Sequence, residues 1–168
     1  MGQVVKLAGV IFTLFLATTV SHAMDKPTGD VILSVSGNIE LSNGNDGQAQ
    51  FDSNMLDAFP AHTINTTTPW TDGEVTFEGP LLRDIMKSIG ATGKTLKAIA
   101  HNDYSVNIPV EDYLRYDVII ATKRDSKEMT LRTKGPLWII YPWDSHEELK
   151  TELYHSRSIW QLKALEIQ

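Results

Sequence analysis

Cysteine is absent from all 168 residues, and that absence bounds the chain more tightly than any motif it carries. It removes disulfides, thiolate metal ligands, thiol nucleophiles and dithiol redox pairs together. The N-terminus sharpens the constraint. Lys6 supplies a short basic region, Leu7–Val20 is an apolar run without a charge, and Ser21–Ala23 offers the small residues a signal peptidase needs. At 14 residues the run is shorter than the roughly 20 that cross hydrocarbon; a retained membrane anchor is the alternative reading. Residues 1–23 therefore read as a signal peptide, and the chain from about Met24 onward as an exported, soluble, periplasmic protein. Without disulfides such a protein must be held by its core alone, which the remaining 145 residues can supply as one domain.

The charge balance narrows the partners. The whole chain carries −6 at neutral pH, and Lys6 is the only charged residue of the leader, so the remainder carries −7. An acidic chain without a basic run is a poor partner for nucleic acid, where phosphate neutralisation drives affinity. The same holds for anionic lipid.

Periodicity and punctuation place the elements. Gly29–Leu41 is rich in Val and Ile and reads as a strand bent at Gly37, followed by a Gly/Asn turn over Ser42–Gln48. Phe51, Met55, Leu56 and Phe59 recur at helical spacing, with Asp52 or Ser53 at the start and Pro60 as a stop. His62–Thr68 and Glu74–Gly79 read as strands around the loop Pro69–Gly73. The clearest helix follows Pro80, with Leu81, Leu82, Ile85, Met86 and Ile89 on one face and Gly90 ending it. Thr95–Ala100 and Tyr104–Pro109 are strands, Pro109–Arg115 a short helix, and Tyr116–Lys123, Glu128–Thr133 and Pro136–Pro142 further strands. Ser145 with Glu148 forms a capping-box pattern that predicts a helix over Ser145–Ser156, and Ser158–Ile167 closes the chain as a strand. Strands outnumber helices in mixed order, so the fold class is α+β: a mixed β-sheet domain with a few short helices.

Residues able to do chemistry are sparse. His22, His62, His101, His146 and His155 fall in no H-x-x-x-H or H-E-x-x-H arrangement, so they read as surface or capping residues rather than metal ligands. No nucleophile elbow, Walker loop or dinucleotide fingerprint is present. Gly90–Lys94 superficially has the composition of a phosphate loop, but it follows a helix and reads as a C-cap and turn. The carboxylates are scattered and define no acid–base pair.

Binding is better represented. His101–Ser105 sets Asn102, Asp103, Tyr104 and Ser105 at a strand-to-strand junction, where they can meet a small polar ring or simply form an Asx turn. Trp70 follows a proline in a polar loop, as a lid over the core or as a stacking platform. Trp138, Trp143 and Trp160 form a late aromatic cluster, of which strand geometry assigns at least one to the core.

Read in order, these segments resemble the sulfite-oxidase-type molybdopterin-binding domain family over about Thr66–Ile167. Phe77–Met86 (FEGPLLRDIM) is similar to the family's entry into a helix. Asn102–Tyr113 (NDYSVNIPVEDY), Gly135–Pro142 (GPLWIIYP) and Arg157–Leu162 (RSIWQL) follow as its later signatures. Two departures stand out. Where the family's molybdenum enzymes carry the metal-binding cysteine, Asn65–Trp70 offers only Thr and Pro, and a hydroxyl does not replace thiolate on a soft metal. The family's phosphate-binding arginine and later lysine fall on Trp138 and Trp160.

The resemblance therefore implies a small exported relative that binds a pterin without molybdenum and without catalysis. Such relatives are ligand-sensing partners of membrane enzymes that control cyclic-di-GMP. It further implies stacking by Trp70, Tyr104, Trp138 and Trp160, a hydrogen-bonding edge from Asn102 and Asp103, and secondary polar contacts from Thr68 and Ser158. The alternative it carries is a molybdopterin-dependent oxidoreductase or its accessory subunit, which would have to retain metal with no protein thiolate.

Overall fold

The computed structural model describes residues 24–168. The leader expected over residues 1–23 lies outside the described residues. No helix among the described residues is long and apolar enough to cross a membrane.

Along the chain the elements are β1 (Leu33–Gly37), β2 (Ala49–Phe51), α1 (Ser53–Asp57), β3 (Ala61–Thr67), β4 (Glu74–Pro80) and α2 (Leu82–Ser88). Next come β5 (Thr95–Ala100), β6 (Ser105–Pro109), α3 (Val110–Arg115), β7 (Ile119–Ala121), β8 (Lys123–Arg124) and β9 (Lys127–Glu128). The chain ends with β10 (Trp138–Ile140), α4 (Glu152–Arg157) and β11 (Leu162–Ile167). The fold is mixed α+β, with several sheets and few short helices.

A five-stranded sheet runs β2-β1-β11-β5-β6, a four-stranded one β3-β4-β8-β9, and β7 pairs with β10 alone. Within the first sheet only β1 and β11 are parallel. Alternation explains its inner face: Leu96, Ala98 and Ala100 of β5 are buried while their neighbours are half-buried. β7 and β10 do not alternate. All six of their residues are buried, because both faces are covered.

Gly79 explains how β4 lies so close to β7: a Cβ there would run into the Ile120 carbonyl oxygen. Thr122 N–H then donates to the Glu78 carbonyl at 2.9 Å, joining the two small sheets. The apolar stripe of α2, Leu82, Ile85 and Met86, faces the core as its spacing predicts, and Gly90 at φ +63° ends the turn. Asp52 caps α1 through Met55 N–H at 2.8 Å. The same carboxylate receives the Thr28 and Gly29 N–H groups at 2.7 and 2.8 Å, which ties the N-terminal segment to the body.

Three segments differ from the sequence reading. Ser145–Ser156 is not one helix: 3-10 turns at Trp143–Ser145 and Glu147–Leu149 precede α4. The acid just before Ser145 and the N3 glutamate of the expected box are claimed elsewhere. Asp144 accepts from Thr67 N–H and Thr67 Oγ1, and Glu148 accepts from Tyr116 Oη at 3.2 Å, so no capping box forms at Ser145. Of the strand expected over Glu128–Thr133, only Glu128, the end of β9, is one. Thr130 and Thr133 close a 3-10 turn there, and Lys134 leaves it at φ +73°. The last strand begins at Leu162 rather than Ser158, because Gln161 adopts φ +52° and leaves Trp160 with a single bridge to Trp138. Smaller trims affect Phe51, which belongs to β2 rather than α1, and Pro80, which ends β4 before α2 begins.

Candidate functional site

The turn between β5 and β6, the 68–73 loop and the C-terminal end of α4 surround a cleft of about 340 Å³. That is within the range of small-ligand sites. Five of the eight residues expected at a site line it: Trp70, Asn102, Tyr104, Ser158 and Trp160. Thr68, Asp103 and Trp138 do not, and each has a specific alternative position.

Thr68 lies behind Trp70. Its Oγ1 accepts from Trp70 N–H at 3.1 Å and bonds Thr71 Oγ1 at 2.8 Å, a local turn that fixes how the loop presents the indole. Trp70 itself is half-buried and meets four rings at tilted or edge geometry: Trp160 at 5.2 Å, His155 at 5.9 Å, Trp138 at 6.0 Å and Trp143 at 6.2 Å. Such arrangements suit the ring quadrupoles.

Trp138 is wholly buried, and its Nε1 donates to the Ser158 carbonyl at 3.1 Å. It is packed against Phe77 as well as Trp70 and Trp160. The expected stacking platform is therefore the floor beneath the two tryptophans that reach the cleft. Trp160 carries the Lys134 ammonium over its ring at 4.2 Å, a cation–π contact. The contact sets a positive charge beside the aromatic cluster.

The β5–β6 turn combines both readings of its Asn-Asp pair. Asn102 Oδ1 accepts from Tyr104 N–H at 3.2 Å, an Asx-type turn, while Asn102 still lines the cleft. Asp103 stands at φ +66° with its side chain exposed and bonded to Lys163 at 2.7 Å. That bond and the lysine charge hold the Asp103 carboxyl below the usual range. Tyr104 is exposed, with its ring flanking the opening.

His155, Ser156, Ala100 and Ile159 complete the lining, and none was singled out for it in the sequence. The reading of His155 as a surface or capping residue is corrected here. Its Nδ1 is buried with no hydrogen-bond partner among the described residues, and its ring abuts Trp70 and Trp143. The signal lay in spacing: His155 is three residues ahead of Ser158, which places both on one side of a helical turn.

Among the described residues no three acidic or histidine side chains converge as a metal site. A second cavity of about 440 Å³, beside Met24, Phe51, Met55 and Phe59, is mostly apolar. An open trough of about 740 Å³ between α2 and α3 is lined by Glu40, Arg83, Asp84 and Lys87. The aromatic cleft gathers two indoles, a phenol ring and an imidazole beside polar groups with unused hydrogen-bonding capacity. No protein-family model matches the chain, and no curated protein matches its sequence.

Proposed function

We propose that the chain is an exported, non-catalytic pterin-binding protein of the sulfite-oxidase-type fold, acting as the ligand-sensing partner of a membrane enzyme that controls cyclic-di-GMP. The observation that carries the reading is the convergence of Trp70, Trp160 and Tyr104 with Asn102 and His155 on one cleft of small-molecule size. Asn102 and Tyr104 come from one segment that resembles the family and Trp160 from another, while Trp70 comes from the 68–73 loop and His155 from α4. Residues far apart in sequence meet at one place.

The rings present suit a flat heterocycle, with a correction to how it would sit. Trp70 and Trp160 are in edge contact at 5.2 Å, so no slot exists between them. A pteridine ring would lie against Trp160 and Tyr104 with Trp70 closing one side. Offset stacking of this kind contributes about 0.5–1.5 kcal/mol per ring pair beyond the area buried.

A molybdenum centre does not fit. The threonines where a thiolate would stand are hard donors already engaged: Thr66 Oγ1 accepts from Asp144 N–H at 3.2 Å, and Thr67 Oγ1 donates to Asp144 at 3.1 Å.

The test is to denature protein purified from the periplasm, identify released small molecules by mass spectrometry, and titrate emptied protein with pterin while following tryptophan emission. A stoichiometric pterin, or saturable quenching lost in Trp160→Ala, is expected. Protein that neither carries nor binds any pterin would sink the binding reading. The signalling part has its own check: deleting the gene should abolish a pterin-dependent change in cellular cyclic-di-GMP, and an unaltered response would remove that role.

A further inference from the structure

The polar groups of the cleft are unequal in kind. No carboxylate lines it, and the nearest acid in the sequence, Asp103, is exposed and bonded to Lys163. Asn102 uses its amide oxygen on Tyr104 N–H, which fixes the amide's orientation and leaves both Nδ2 protons without a partner among the described residues.

His155 adds a second donor. Its Nδ1 is buried and unpartnered among the described residues, so Nε2 is the ring nitrogen a ligand can reach. A neutral imidazole carries one proton. Placed on Nδ1 it would be an orphaned N–H, which folded proteins seldom tolerate; placed on Nε2 it leaves only a lone pair inside. The hydroxyls complete the inventory. Ser156 Oγ donates to the Leu153 carbonyl at 2.7 Å and Ser158 Oγ to the Tyr154 carbonyl at 3.0 Å. Both keep neutral lone pairs only, and Ser158 is almost wholly buried. Tyr104 Oη can act either way.

We infer that the cleft recognises the acceptor-bearing edge of a flat heterocycle, its oxo and ring-nitrogen lone pairs, through Asn102 Nδ2 and His155 Nε2, and is nearly indifferent to a 2-amino group. The inference rests on the pterin reading above and deepens it. The 2-amino and N3–H groups of a pterin are two adjacent donors, whose strong partner is a carboxylate accepting both. That partner is missing from the lining. The 4-oxo side meets donors instead, and Asp103, the residue the sequence offers for the amino edge, has no place in recognition.

The experiment compares 2-amino-4-oxopteridine (pterin) with 2,4-dioxopteridine (lumazine) by titration of the purified protein, in wild type and in Asn102→Asp. The two rings differ at the 2-position, amino donor in one and oxo acceptor in the other, and at N1, which carries a proton only in lumazine; the 4-oxo and N5 edge is common to both. A site built on the amino group rejects the analogue by about 10⁴-fold or more; this cleft is expected to hold the two within about tenfold. Asn102→Asp keeps the oxygen that caps Tyr104 N–H and replaces the free donor by an acceptor charge. It should weaken the binding of both rings by at least about tenfold, the scale of one charge-assisted hydrogen bond, because it faces the acceptor edge they share. Lumazine binding more than tenfold weaker than pterin in wild type overturns the inference and leaves the pterin reading intact, as does undiminished affinity for both rings in Asn102→Asp. Failure of both rings to bind removes the pterin reading, and the inference with it.

Discussion

Arg157 is the residue whose loss should show most clearly how packing beneath the cleft supports it. Its Nη1 meets Asp112 Oδ2 at 2.8 Å, with side-chain exposures of only 14% and 8%. Tyr141 Oη donates to the same carboxylate oxygen at 2.8 Å, and burial together with that carboxylate pushes the tyrosine hydroxyl far up. The pair thus lies away from water, where removing one partner strands the other. Arg157→Met leaves Asp112 with one neutral donor and should cost about 3–5 kcal/mol. With a urea slope of about 2 kcal/mol per molar, that moves the unfolding midpoint down by about 2 M. Tyr141→Phe removes one hydrogen bond to a charged group and should cost about 1.5–3 kcal/mol. Replacing all three together, as Asp112→Leu, Tyr141→Phe and Arg157→Met, should recover most of the loss, because no buried charge is then left alone. Urea unfolding followed by tryptophan emission reads all three variants. A loss below about 1 kcal/mol in Arg157→Met, the behaviour of an exposed pair, would refute the reasoning. The same pair docks α4 onto α3, and α4 carries His155. Pterin affinity in Arg157→Met, measured well below the unfolding midpoint, should therefore fall as well.

Other perturbations have equally defined outcomes. The N–H groups of Met55, Gly29 and Thr28 hold the Asp52 carboxyl below the usual range. Its contribution is present above the unfolded value of about 3.9 and is lost as pH falls through the lower folded value; the stability gap between wild type and Asp52→Asn should narrow below about pH 4, and a gap that persists at lower pH refutes the link. Gly79→Ala should fail to fold or lose several kcal/mol (about 3 or more), since its Cβ meets the Ile120 carbonyl rather than a flexible side chain; soluble protein with an unchanged melting temperature would contradict this. Trp138→Ala, in the core, should lose about 3–5 kcal/mol of stability, whereas Trp160→Ala should lose less stability and more ligand affinity; the reverse order in paired unfolding and titration experiments would exchange floor and wall.

Much of the architecture is legible because it obeys local rules. β5 falls on Thr95–Ala100 as its alternation indicates, and α2 is bracketed by Pro80 and Gly90. Illegibility begins where distant partners overrule local chemistry. Ser145 and Glu148 spell a capping box, but Glu148 is drawn to Tyr116 and Asp144 to Thr67, 77 residues away in sequence. Neither contact leaves a trace in the helix pattern. The 128–133 segment fails similarly, because two threonines that suit a strand can also cap each other in a tight turn.

The aromatic site shows the same limit in sharper form. Trp138 and Trp160 look equivalent in sequence, each an indole beside an aliphatic residue. The structure separates them by one backbone event. Gln161 at φ +52° breaks the last strand and leaves Trp160 as a lone bridge opposite Trp138. Trp138, inside β10 with both faces covered, is sealed; Trp160, at the break, turns one side to the cleft. Lys134 then settles over Trp160 from a second left-handed position. Two exceptional backbone conformations at non-glycine residues therefore decide which tryptophan can meet a ligand and where the local positive charge lies. Such conformations cost roughly 1–3 kcal/mol each and persist where the surroundings over-determine them. Here the Gln161 N–H to Lys134 carbonyl bond at 3.0 Å and the Gln161 Nε2 to Leu131 carbonyl bond at 2.8 Å tie the two positions together. A site assembled in this way depends on turn geometry that composition and periodicity do not encode, whereas the core beneath it depends only on apolar residues recurring in register.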